Sequence, residues 1–191
     1  MTVVGSQSSQ LHPRIQELID HLVSYRRAVH DAVAEVPAEL RNRKPAPDSW
    51  SVAEVMEHLS IVEQRIAAML TMHVTAARAN GVGPDPSTSS VVATFANAEN
   101  LLDRTQKIVA PTVAMPTGTV DPSAGAEALD KAHAAMVDSL HNANGVSLEN
   151  LFQAHPVFGP RNLYHWVVAL GLHDARHTAQ IREIGQSLAG A

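Results

Sequence analysis

The chain carries eleven histidines and no cysteine in 191 residues. Any metal centre must therefore use imidazole and carboxylate ligands, and no protein thiol can act as nucleophile or form a disulfide. Two of the histidines stand four apart in His173-Asp174-Ala175-Arg176-His177. On a helix this spacing stacks both imidazoles on one face with Cβ atoms about 6 Å apart, near enough to share one ion at roughly 2.0–2.1 Å per nitrogen. Chance alone gives roughly 0.6 such pairs at this histidine content, so the spacing by itself carries little weight. Position carries more. Both fall on the apolar stripe Leu163, Trp166, Leu170, His173, His177, Ile181 and Ile184, and a buried imidazole without a partner costs roughly 1–3 kcal/mol. His58, three residues after Val55 and four before Val62, lies on the inward stripe of a separate helical tract. Three neutral imidazoles leave the full charge on the ion and at least one coordination position for water or substrate, which is the pattern of a catalytic centre. The plainer alternative is three core histidines bonded to backbone or carboxylate.

Weaker candidates surround these three. Glu54, Glu57, Glu63 and Asp174 neighbour the histidines in sequence and could orient their second nitrogens or serve as a general base, Glu54 being the one considered for catalysis. As ordinary helix residues they would form the wet face. His155 precedes the last helix and could reach a pocket mouth, although capping its own loop suits it better. His165, eight residues before His173, is turned about 80° off the shared face, which suits a surface or supporting place. His12, His21, His30, His73, His133 and His141 converge on nothing and read as solvated or boundary residues.

Helices are the elements that must position these side chains. Ile15, Leu18, Leu22, Tyr25 and Val29 recur at spacings of three and four, predicting a helix from Pro13 to about Val36 that Pro37 ends. Ser51 with Glu54 three beyond it has the form of a capping box, and the helix it opens should run to about Ala79 with Val55, Leu59, Val62, Ile66 and Met69 inward, until Gly81, Gly83, Pro84 and Pro86 stop it. Residues 87–123 read as a long crossover with a helical tract from Val91 to about Ile108. Ser123 to His141 is helical, 142–160 is a loop, and the last helix spans Arg161 to about Ser187. The expected organisation is a flexible N-terminus over 1–10 and one domain over 11–187. That is an all-α four-helix bundle with a long crossover between helices 2 and 3.

Composition agrees and narrows the function. Aliphatic residues supply nearly all of the 45% hydrophobic content and aromatics only 4%, which suits helix packing better than a β-sandwich. A net charge of −5 without a basic run argues against a nucleic-acid partner. No apolar run approaches the length of a membrane span and the first ten residues have no signal-peptide pattern, so the expected location is cytoplasmic.

The run Asp48-Ser49-Trp50-Ser51-Val52-Ala53-Glu54-Val55-Met56-Glu57-His58-Leu59 resembles the segment that supplies the first metal histidine in the DinB superfamily (DinB/YfiT-like bundles). His155-Pro156-Val157-Phe158-Gly159-Pro160, Asn162-Leu163-Tyr164-His165-Trp166 and His173 through Ile181 resemble that family's final helix with its paired ligands, and Lys107–Pro111 and Met115-Pro116 resemble its crossover. The likeness covers roughly residues 11–186. It implies a bundle in which His58, His173 and His177 meet on Zn, Ni or Fe, and it implies a homodimer. Several relatives transfer small thiols such as bacillithiol or mycothiol to electrophiles or isomerise thiol adducts, so the expected partner is a small thiol or electrophile. At the position of His165 relatives commonly carry a carboxylate or amide.

Two functions from different classes follow. The first is a metal-dependent S-transferase whose open coordination position activates a borrowed thiol, or a hydrolase that activates water with the same ligands. The second is a non-catalytic bundle that binds a metal or small molecule in a stress response.

Overall fold

A computed structural model describes residues 10–190. The flexible segment expected over 1–10 lies, apart from Gln10, outside the described residues. Four long helices make the bundle: α1 (Pro13–Ala34), α2 (Val52–Ala79), α4 (Pro122–Ala143) and α5 (Leu163–Ala189). A single-turn helix, α3 (Glu99–Leu102), sits in the connection between α2 and α4. The protein is thus an all-α bundle with its long crossover between the second and third long helices. α2 packs chiefly along α4 and α1 along α5, while α2 also meets α5. Among the described residues no helix is long and apolar enough to cross a membrane.

Each long helix starts where a side chain takes over an orphan backbone donor. The His12 ring accepts from Arg14 N ahead of Pro13. Ser51 and Glu54 close a full capping box, with Glu54 N donating to Ser51 Oγ at 3.2 Å and Ser51 N donating to Glu54 Oε2 at 2.8 Å. Asp121 caps α4 through Ser123 N, and Asn162 caps α5 through His165 N. The expected stripes are buried with local shifts. Ile15, Leu18, Leu22 and Val29 are in the core, but Tyr25 is half-buried and its neighbour Arg26 takes the interior position. Val62, Met69 and Trp166 are likewise half-buried. One apolar cluster includes Ile15, Leu22, Leu70, Met136 and Leu163; a second includes Leu129 together with Val55, Leu59 and Ile181, which are close in the chain to His58 and His177.

Two expectations need correction. The predicted helix over 91–108 reduces to the single turn Glu99–Leu102, preceded by Asn97 at φ 64°. Side chains of the long helices replace the missing helical hydrogen bonds. Arg14 Nε donates to Ser89 O, Glu17 accepts from Val91 N and Ser90 Oγ, and Arg176 donates to the carbonyls of Leu101, Asp103 and Gln106. The loop predicted over 142–160 contains an antiparallel hairpin, β1 (Phe152–His155) with β2 (Gly159–Asn162), paired from Phe152↔Asn162 to His155↔Gly159. Gly159 holds φ 68°, a conformation in which a side chain would be strained.

Candidate metal centre

α2 delivers His58 seven residues past its Ser51 cap, and α5 delivers His173 and His177 from successive turns. Their Nε2 atoms converge. His58 Nε2 and His177 Nε2 lie 3.2 Å and 3.1 Å from His173 Nε2. Three nitrogens at roughly 2.0–2.1 Å from one ion with tetrahedral angles would stand about 3.3 Å apart, so the two sides that meet at His173 already have the right length, and all three ligand atoms lie within 4.8 Å of one another. Among the described residues it is the one group of three or more His, Asp or Glu that could hold an ion.

The far side of each ring shows why these nitrogens offer lone pairs. His58 Nδ1 donates to the Ala114 carbonyl at 2.6 Å, and His177 Nδ1 donates to Gln180 Oε1 at 2.8 Å. A neutral imidazole has one proton, so both Nε2 atoms must be bare acceptors. His173 Nε2 can donate to only one of them, and its Nδ1 is shut from solvent without a hydrogen-bond partner. A cation among the three Nε2 atoms resolves that conflict, and the donor set therefore fits a divalent metal. Burial holds all three rings in the neutral form. It lowers His58, lowers His177 to about 3, and lowers His173 well below its ordinary value with the other two histidines adding to it. Trp50 walls one side, its ring 4.8 Å from that of His58 and stacked 6.3 Å from that of His177.

The carboxylates do other work. Glu54 gives Oε2 to the capping box and Oε1 to Lys44 Nζ at 2.7 Å, so neither oxygen is spare for the centre. Glu57 accepts from Thr117 N, Thr117 Oγ1 and Gly118 N, and so fastens the crossover beside Ala114. Glu63 and Asp174 both pair with Arg26, at 2.6 and 3.0 Å, and His133 Nδ1 lies 3.1 Å from Glu63. All four carboxylates are buried, not the wet face that helix periodicity allowed. Burial raises Asp174 to about 7 against the pull of Arg26.

His155 caps its own turn: Nδ1 accepts from Val157 N at 3.1 Å and Phe158 N at 3.4 Å, and its ring packs 4.4 Å from Trp166. His165 is half-buried beside Phe95 and Thr94, outside the triangle. His21 and His133, read from sequence as solvated or boundary residues, are half-buried, and His21 Nε2 donates to the Val168 carbonyl at 3.0 Å. Sequence reasoning missed Ala114, Gln180 and Trp50. Gln180, at i+3 from His177, was the one with a detectable signal.

The chain is 25% identical over 151 residues to the uncharacterized protein YuaE of Bacillus subtilis (strain 168), an alignment that covers 78% of this chain and 86% of that one. No solved structure matches it. The DinB superfamily matches residues 21–181, a span that contains all three histidines, the whole of α2 and α5 as far as Ile181. On that match, together with its helical architecture, the chain belongs to the DinB superfamily.

Proposed function

We propose that this protein is a metal-dependent enzyme that activates a small thiol, or water, at His58, His173 and His177. The observation that carries this reading is the triangle of Nε2 atoms with two of its rings fixed from behind as lone-pair donors. A divalent ion there, Zn, Ni or Fe, would supply Lewis acidity that lowers the pKa of a thiol or water in the remaining position. The protein's part is orientation and exclusion. Ala114 and Gln180 fix the tautomers of His58 and His177, which raises their basicity and holds their geometry. Trp50 and the second apolar cluster keep bulk water from the triangle, and Glu54, engaged by Lys44 and Ser51, leaves the fourth position open. The lack of cysteine supports a thiol that arrives with the substrate.

The test uses protein purified without nickel resin. Metal analysis should find about one divalent ion per chain, and the loaded protein should consume monobromobimane or a chloronitrobenzene in a thiol-dependent manner. His58→Ala and His173→Ala should lose metal and turnover while keeping helical content. Metal binding without turnover of any thiol or ester substrate would favour the non-catalytic reading, and wild-type protein that takes up no metal would defeat the proposal.

A further inference from the structure

The hairpin that is tied to α5 at Trp166 contains an oriented donor that nothing among the described residues uses. With His155 Nδ1 accepting from two backbone N–H groups, the only proton of the neutral ring is on Nε2. Burial, and Arg161 nearby, lower its pKa to about 4, so the ring is neutral at physiological pH. Nε2 makes no hydrogen bond within the described residues and is not among the buried unpartnered atoms, so its N–H faces solvent or a ligand. The ring cannot turn away. It is flanked by Phe158 at 4.9 Å and Trp166 at 4.4 Å, and Trp166 Nε1 ties the hairpin to α5 through the Gln153 carbonyl at 3.0 Å.

A cation shares the face of the hairpin that carries this donor, because Arg161 lies two residues along β2 from Gly159, the partner of His155. Arg161 lies with its guanidinium 5.6 Å from the Phe158 ring centroid, spends one N–H on the Pro160 carbonyl, and forms no ion pair within the described residues. Glu149, the carboxylate on the same side, is taken by Arg14 at 2.8 Å and Asn162 at 3.3 Å. Trp166 precedes His173 by seven residues on α5, which places it on the same face about 10 Å along the axis.

Resting on the reading of the centre as a thiol site, the geometry points to His155 Nε2–H and Arg161 as an anchor for a carboxylate of the bound thiol, on the face of α5 that Trp166 shares with His173. The substrate class is then a peptide-sized thiol with an anionic end, and short neutral thiols lack the group that this anchor holds. The pair acts by binding and takes no part in bond making.

Cobalt-loaded protein tests this by absorption, through the sulfur-to-metal charge-transfer band, with glutathione and 2-mercaptoethanol as probes. His155→Asn keeps an oxygen where Nδ1 caps the turn and loses the outward N–H; Arg161→Met keeps an apolar stem over Phe158. Each variant should load cobalt and melt like the wild type, bind glutathione about tenfold more weakly, and bind 2-mercaptoethanol within about twofold of the wild type. Unchanged glutathione affinity in both variants, or equal weakening of both thiols, would overturn the anchor and leave thiol coordination standing. If neither thiol altered the wild-type spectrum, the thiol reading itself would fail, and the anchor with it.

Discussion

The interior of this bundle handles buried polar groups in two ways, within one helical turn of each other. On one face of α5, His173 and His177 join His58 as neutral rings that aim lone pairs at a common point. On the adjoining face, Asp174 joins Arg26, Glu63 and His133 in a charged cluster that holds its own counter-ion, although Arg26 Nε and Nη1 and Asp174 Oδ1 have no hydrogen-bond partner among the described residues. A guanidinium sits there between two carboxylates. The triangle has acceptors and no cation. An internal counter-ion marks the charged cluster, and a deficit of positive charge marks the histidine triangle.

The largest expected effect tests the charged cluster. Arg26→Met leaves Glu63 and Asp174 buried without their counter-ion and should destabilise the fold by about 3–5 kcal/mol in urea denaturation. His173→Ala should do the reverse of this pattern: metal affinity falls more than about a hundredfold by competition with a chelator, while metal-free stability changes by less than about 1.5 kcal/mol. A result in which Arg26→Met is mild and His173→Ala unfolds the metal-free chain would erase the distinction.

Acidity should separate the regions by sign. The imidazoles of His177 and His155 have folded pKa values of about 3 and about 4, below the ordinary 6.5. Their contribution to the metal-free protein is whole above pH 6.5, and it is lost as pH falls from there towards 3. Asp174 is raised from 3.8 to about 7, so its contribution is whole below pH 3.8 and is lost as pH rises through 7. Melting curves of the metal-free protein should therefore fall off on both sides of a mildly acidic optimum, and Asp174→Asn should flatten only the alkaline side. The smallest effect belongs to the cap that starts the ligand-bearing helix: Ser51→Ala should cost about 1 kcal/mol by denaturation and leave metal affinity nearly unchanged.

The long helices and the convergence of the three histidines were legible because they are written in side-chain types at helical spacing. Ser51 and Glu54 announced the start of α2, and the stripe through Leu163, Leu170 and Ile181 set the face on which His173 and His177 lie. The partners behind the ligands were not legible. Ala114 contributes a carbonyl, which every residue type possesses, and only the fold of the crossover brings it to His58. Glu63 and Asp174 read from sequence either as supports for the histidines or as the wet face, and their pairing with Arg26 was not legible because its members lie on different helices. The tract over 91–108 has helical periodicity, yet the arginines and Glu17 of neighbouring helices satisfy its backbone in another shape. The hairpin escaped notice because its strands have only four residues each, and Pro160 lies within β2.

The contact between His58 and Ala114 joins a ligand to a segment far from it in sequence. Glu57, one residue before His58, grips that same segment at Thr117 and Gly118. Anything that tightens His58 in its working orientation therefore also tightens the strap formed by residues 112–118, and anything that loosens the strap slackens the ligand in equal measure, because the coupling between two linked equilibria is reciprocal. The crossover is thus a natural place to record, at a distance, whether the centre is occupied.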